Sequence, residues 1–103
     1  MTTLDPDFLF RQQGAAQAAA LLRAMGNEHR LLVLCLLIEH GEQSVGALQE
    51  QVGLSQSALS QHLAKMREEG LIAFRREAQT LFYRIERVEV IALVATLKKL
   101  FCP

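Results

Sequence analysis

The sequence predicts a mainly α-helical fold that carries a single β-hairpin. Two of the observations behind this prediction are short separators between regular segments. Gly53-Leu54 separates two helical segments, and Ala78-Gln79 separates two strand-like runs. The third is the alanine- and leucine-rich composition of the flanking segments, because these residues favour helices. With 103 residues, the chain is expected to form one domain over residues 1–103.

Helix start and stop signals divide the first half of the chain. Residues 1–13 are mixed in character and are expected to fray at their start, although Asp5-Pro6 can cap and open a helix. The first clear helix is predicted over Ala15–Met25. Asn27 is predicted to cap a second helix that Gly41 ends. That second helix is apolar on nearly all sides, which is typical of a central core helix.

The second half begins with two helices joined by a short turn. Ser44 is predicted to cap a short helix, Val45–Val52. Ser55 is predicted to cap the next helix, which runs to Glu69. A short turn between two helices is what a helix-turn-helix requires.

Two runs rich in β-forming residues follow that pair of helices. Leu71–Glu77 and Thr80–Ile85 are predicted to form a hairpin. A final helix is predicted over Glu89–Phe101. The order helix, helix, helix-turn-helix, hairpin, helix is that of a winged helix-turn-helix.

The helix after Ser55 has two different faces. Leu59, Leu63 and Met66 follow helical spacing and are expected to pack inward. A helix reads the major groove with polar groups opposite its packed face, and glutamine, serine and lysine all suit bases or phosphates. The residues predicted to contact DNA on this helix are Gln56, Ser57, Ser60, Gln61, His62 and Lys65. Periodicity alone fits an ordinary surface helix equally well, but the preceding helix, the tight turn and the hairpin favour DNA reading.

Arginines on the hairpin extend this predicted interface. Arg75, Arg76 and Arg84 are predicted to contact phosphate or the minor groove. The alternative for each arginine is that it lies on a solvated strand face and contacts no DNA. The 11 Lys and Arg residues balance the 11 Asp and Glu residues, for a net charge of +0, so overall charge permits DNA binding without indicating it.

Several classes of protein are disfavoured by what the sequence lacks. No apolar run of about 18 residues is present, so no membrane span is predicted. The first ten residues lack the features of a secretory signal, so the protein is expected to be cytoplasmic. Two cysteines and three scattered histidines offer no nucleophile–base set, and we predict neither an enzyme nor a cofactor.

Several segments together resemble the ArsR/SmtB family of repressors. The segments that carry the resemblance are Ala24–Leu31, Ser44–Leu48, Leu54–Leu63 and the hairpin Phe74–Tyr83. It extends over nearly all of residues 15–103. The resemblance implies a homodimer formed through the first and last helices, which binds an inverted-repeat operator in double-stranded DNA.

The positions that bind metals in many members of this family differ here. Metal sensors commonly carry Cys-x-Cys where this sequence has Ser44-Val45-Gly46. The last helix lacks the His and Asp of a second common zinc site, and Glu89 is its one candidate oxygen ligand. His29, His40 and His62 have no helical partner for zinc. No metal site is predicted, and a site built from both cysteines and a histidine is the alternative.

The two cysteines lie far apart in sequence, at Cys35 and Cys102. Judged from the residues alone, Cys35 is a small core residue and Cys102 an incidental terminal one, because spacing does not place two thiols together. No permanent disulfide is expected in a reducing cytoplasm. Both positions, however, resemble the reactive-sulfur-sensing branch of the family, typified by the biofilm-growth-associated repressor and the vibrio hemolysin regulator. The resemblance implies that persulfides or polysulfides oxidise or bridge Cys35 and Cys102, and that the repressor then releases its operator.

Two other functions compete with this prediction. The first is a metal- or arsenical-responsive repressor of the same family. The second is a winged-helix protein-interaction module without DNA binding, against which the polar face of the helix after Ser55 argues. Peroxide is an alternative inducer to persulfide, and the oxidised form is either a disulfide or a polysulfide bridge.

Overall fold

The computed structural model describes residues 5–102, which form six α-helices and a three-stranded antiparallel sheet. The helices are α1 Pro6–Leu9, α2 Ala15–Met25, α3 Glu28–His40, α4 Val45–Val52, α5 Gln56–Glu68 and α6 Val88–Phe101. The strands are β1 Gln43–Ser44, β2 Ile72–Glu77 and β3 Thr80–Ile85. This element order confirms the predicted winged helix-turn-helix. No helix within these residues is both long and apolar enough to cross a membrane.

The first helix begins where the sequence predicted a cap. An Asp5 carboxylate oxygen accepts a hydrogen bond from the Asp7 N–H at 3.0 Å, and Pro6 occupies the first helical position. A π-helical turn, Phe10–Gly14, then joins α1 to α2. The backbone is therefore helical from Pro6 onward, in agreement with the predicted Asp5-Pro6 cap, and the fraying expected at the start of residues 1–13 stays a prediction. The part of that prediction that concerns residues 1–4 lies outside the described residues.

The predicted caps also begin the later helices. The side chains of Asn27, Ser44 and Ser55 each accept a backbone N–H from two or three residues on, at distances between 2.9 and 3.2 Å. Each bond satisfies a donor that has no partner within the helix. Gly53, between α4 and α5, has a φ of 78°, a left-handed conformation that glycine adopts without strain. The helix-turn-helix is thus defined by local side-chain and backbone chemistry.

The sheet has the strand order β1-β3-β2. The two strands of the predicted hairpin pair in register, with Phe74 opposite Tyr83, and β2 begins one residue later than predicted. The sequence analysis did not predict β1, whose Gln43 and Ser44 pair with Tyr83 and Phe82. Because this pairing joins residues far apart in the chain, no local pattern of residues signals it.

The core lies around α3 and the inner face of α5. Four side chains near the middle of α3 are buried, which confirms its central position; they are Val33, Leu34, Leu36 and Leu37. Leu59, Leu63 and Met66 are fully buried, as the spacing predicted. The packing of these three residues fixes which face of α5 points away from the domain.

Candidate nucleic-acid interface and thiol site

The outer face of α5 is polar and exposed. Five of the six predicted contacts on this helix are exposed, namely Gln56, Ser57, Ser60, Gln61 and Lys65. Lys65 lies 3.6 Å from Glu69 in a surface ion pair, which stabilises little because both groups are solvated. The structure therefore brings these side chains together on one surface, with short hydroxyl and amide groups near the start of the helix.

His62, the sixth residue, is half-buried and already has a partner. Its Nδ1 accepts a hydrogen bond from Arg30 Nε at 2.9 Å. Burial lowers the pKa of His62, and the charge of Arg30 and the neighbouring His29 lower it further. Because Nδ1 accepts, the hydrogen bond assigns the proton of the neutral ring to Nε2. That N–H is the donor that His62 can offer to a phosphate.

The three predicted wing arginines differ in their surroundings, and Arg84 forms an ion pair with Glu86 at 3.5 Å. Arg75 bonds to Glu42 at 2.8 Å and to Glu77 at 2.7 Å, and these hydrogen bonds raise its pKa. Its guanidinium also lies 4.8 Å from the centre of the Phe82 ring. Arg76 forms no ion pair with any carboxylate of residues 5–102. The charge of Arg76 is consequently more available to DNA than that of Arg75, a difference that sequence reasoning missed.

A cleft joins α5 to the hairpin. It has a volume of about 430 Å³ and lies between the starts of α4 and α5 and the tip of the hairpin. Gln56 lines one side of this cleft, and Gln79 and Thr80 line the other. The start of α5 and the wing therefore belong to one concave surface that a single duplex can contact.

The two thiols line the same cavity on another part of the molecule. This apolar cavity, of about 290 Å³, lies between α3 and α6, and its lining residues are Leu31, Cys35, Val94, Leu97, Lys98, Phe101 and Cys102. Cys35 is half-buried and Cys102 is exposed, and both are free. Beside the cavity, Lys98 of α6 forms an ion pair with Glu39 of α3 at 3.2 Å. Packing thus brings together Cys35 and Cys102, which lie 67 residues apart in the sequence.

The surroundings of Cys35 disfavour its thiolate. Burial raises the pKa of the Cys35 thiol, Glu39 and Cys102 raise it further, and Lys98 opposes them. In a Cys102→Ser variant, we expect the rate of Cys35 alkylation by iodoacetamide to keep rising at pH values where free cysteine has levelled off. The reason is that only the thiolate reacts. Lys98→Met should move the profile to higher pH and Glu39→Gln to lower pH. A Cys35 profile that matches free cysteine would contradict this prediction.

Metal-ligating side chains are dispersed in the part of the chain that the structure describes. No three His, Cys, Asp or Glu side chains within it are grouped closely enough to hold a metal ion. The rings of His29 and His62 lie near each other, with centres 6.0 Å apart, but Arg30 occupies the Nδ1 of His62.

Comparisons with known proteins agree with this architecture. A model of the bacterial regulatory protein arsR family matches residues 27–73. The HTH-type transcriptional regulator YgaV of Escherichia coli (strain K12) is 52% identical over 92 residues, which cover 89% of this chain and 93% of YgaV.

Solved structures show the same similarity in three dimensions. The repressor BigR from Xylella fastidiosa superposes with a TM-score of 0.84 at 38% identity, over 90% of this chain and 94% of that one. Reduced HlyU from Vibrio cholerae N16961 superposes with a TM-score of 0.83 at 48% identity, over 90% and 97% of the two chains.

Proposed function

The chain belongs to the arsR family of bacterial regulatory proteins, and we propose that it is a dithiol-based repressor that releases DNA when Cys35 and Cys102 become bridged. One observation carries the proposal: the two cysteines line a single apolar cavity between α3 and α6. In the reducing cytoplasm both thiols stay reduced until an oxidant reaches them. The reduced form is the one that binds DNA.

The DNA-binding part of the proposal rests on α5 and the wing. The outer face of α5 enters the major groove, where Gln56 and Gln61 contact bases and Ser57 and Ser60 contact bases or phosphates. Lys65 and the Nε2–H of His62 contact phosphate. The wing adds Arg76, with Arg75 as the weaker contact because two carboxylates already neutralise it.

A homodimer is the proposed DNA-binding unit. Exposed apolar side chains occur on α2 and α6, among them Leu22 at 58% exposure and Ile91 at 42%. An apolar hollow of about 170 Å³ lies between the same two helices. Such surface is costly to leave in water and supports burial against a second copy. The two α5 helices of the dimer then reach successive major grooves of an inverted repeat.

The proposed chemistry begins at the more accessible thiol. The Cys102 thiolate attacks the terminal sulfur of an organic persulfide, RSSH, which forms a Cys102 persulfide and releases RS⁻. The Cys35 thiolate then attacks Sγ of Cys102, which forms a Cys35–Cys102 disulfide and releases HS⁻. If both cysteines are persulfidated first, the terminal sulfur of one attacks Sγ of the other, which forms a trisulfide and releases HS⁻. Both routes balance without a further oxidant.

The bridge affects DNA binding through α6. It covalently joins the end of α6 to α3, and α3 packs directly on α5. Because α6 is part of the proposed dimer interface, a shift of α6 changes the spacing of the two α5 helices. A hundredfold loss of affinity requires the bridged form to disfavour the DNA-bound state by about 2.7 kcal/mol.

The proposal is tested with a duplex selected by the reduced protein from a random-sequence pool. We expect glutathione persulfide to release this duplex, and dithiothreitol to restore binding. Intact-protein mass spectrometry should show either the loss of two hydrogens or, for a trisulfide, the gain of one sulfur with that loss. Where the product is a trisulfide, peroxide treatment distinguishes the inducer, because peroxide can form a disulfide but cannot add sulfur. Release by zinc or arsenite, with no change of protein mass under persulfide, would overturn the proposal.

The wing arginines allow a matched comparison. Arg76→Gln is expected to weaken binding to the selected duplex about fivefold to tenfold and to lower the salt slope by about 0.9, because one phosphate contact is lost. Arg75→Gln should have a smaller effect, since Glu42 and Glu77 already hold its charge. Filter binding across a salt series measures both quantities. Equal losses in the two variants would show that the ion pairs of Arg75 do not limit its contact with DNA.

A further inference from the structure

Arg30 connects three helices through its side chain and backbone. At the start of α3, its backbone N–H donates to the cap residue Asn27 at 3.2 Å. Its Nη1 donates to the carbonyl oxygen of Ala24, in the last turn of α2, at 3.2 Å. Its Nε donates to Nδ1 of His62, in the middle of α5, at 2.9 Å. The guanidinium thus satisfies a carbonyl that the end of α2 leaves without a helical partner and holds a side chain of the DNA-reading helix.

We propose that Arg30 is a positioning residue for DNA reading: through His62, it fixes the placement of α5 against the end of α2 and the start of α3. The inference rests on the DNA-binding part of the proposed function and is independent of the thiol chemistry. Because α2 belongs to the proposed dimer interface, the same contact links the placement of α5 to that interface. Arg30 acts through His62 and needs no contact with DNA.

The link requires a neutral His62. A protonated ring carries a hydrogen on both nitrogens, so Nδ1 can no longer accept from Arg30. The charged or titratable groups that act on His62 are Arg30 and His29, both from α3, and both lower its pKa. One to two turns further along α5, Lys65 and Glu69 line a separate hollow with Arg23 of α2. Protonation of His62 therefore replaces an attractive contact with repulsion.

The direction in which DNA affinity changes with pH therefore distinguishes between two roles of His62. If His62 only contacted phosphate, its protonation would strengthen DNA binding by adding a positive charge. If His62 holds α5 through Arg30, protonation weakens binding as pH falls through the His62 pKa, which lies below its ordinary value. The two roles therefore predict opposite responses to acid.

The first experiment compares wild type with His62→Asn on the duplex selected by the wild-type protein. Asparagine keeps an acceptor at the δ position, does not titrate, and has a helix propensity close to that of histidine. Between about pH 7.5 and about pH 5.5, we expect wild-type affinity to fall at least about threefold relative to His62→Asn. A wild-type affinity that rises or stays level relative to His62→Asn would overturn the inference.

The second experiment separates positioning from direct contact. Arg30→Met and His62→Leu are each expected to weaken binding to the selected duplex by about tenfold. On a random-sequence duplex, Arg30→Met should change little, whereas His62→Leu also loses its proposed phosphate contact. The double variant should be no weaker than the weaker single variant, because both remove the same link. His62→Asn should bind more tightly than His62→Leu, as a partial rescue.

Salt dependence and stability provide the controls. The slope of log affinity against log salt should stay unchanged in Arg30→Met, whereas Arg76→Gln lowers it. A slope lowered by about 0.9 in Arg30→Met, or additive losses in the double variant, would assign Arg30 to direct contact and overturn the inference. Thermal unfolding by circular dichroism verifies that each variant is folded. If the wild-type protein selects no duplex at all, the proposed function itself fails, which is a distinct result from unchanged binding by the variants.

Discussion

Cys102→Ser is expected to leave binding to the selected duplex within about twofold of wild type and to abolish its release by persulfide. Binding is retained because Cys102 is exposed and lies at the end of α6, away from α5 and the wing. Release is lost because a single thiol can carry added sulfur but cannot close a bridge. The difference between wild type and variant in the presence of persulfide should approach a hundredfold in affinity, measured by gel shift.

The control for this prediction is a variant that changes the same helix end and keeps both thiols. Lys99→Ser introduces a serine, as Cys102→Ser does, but at another exposed position of α6. Persulfide should release the duplex fully from this variant. Cys35→Ser should behave like Cys102→Ser, because the bridge needs both sulfurs. Release of the duplex from both cysteine variants by persulfide would show that the bridge does not transmit the signal.

The parts of this fold that sequence predicts are those that depend on neighbouring residues. Ser55 needs only the N–H of Ala58, three residues away, to begin α5, and Gly53 needs only its own backbone freedom to end α4. The inner face of α5 follows from the spacing of its apolar residues along the chain. These interactions are already specified within a few residues, so the helix-turn-helix and its outer face could be predicted.

The contacts that sequence did not predict join residues far apart. The bond from Arg30 to His62 spans 32 residues, and the ion pair from Arg75 to Glu42 spans 33. Each depends on how complete elements pack, and no local pattern encodes that packing. The shared cavity of the two cysteines has the same origin, since it exists only once α6 packs on α3. Resemblance to the family indicated the thiol pair where spacing could not.

Leu63→Ala is expected to lower the free energy of unfolding by about 2–5 kcal/mol. Leu63 is fully buried in α5, where it packs with Leu59 and Met66 against the core. Truncation to alanine removes buried apolar surface and leaves a cavity that the surrounding side chains fill only in part. Domains of this size have stabilities of about 5–15 kcal/mol, so the loss is a large fraction of the total. Urea unfolding at a fixed protein concentration measures it, because dimerisation makes apparent stability depend on concentration.

Gln61→Ala on the exposed face of the same helix is the matched control, and it should give the opposite pattern. Gln61 is exposed, so its removal should change stability by no more than about 0.5 kcal/mol. It should nevertheless weaken binding to the selected duplex about tenfold, since a lost bidentate base contact costs about 1–3 kcal/mol. Leu63→Ala thus tests how α5 is held, and Gln61→Ala tests what α5 reads. If Gln61→Ala lowered stability but left DNA affinity unchanged, this side of α5 would not be the face that reads DNA.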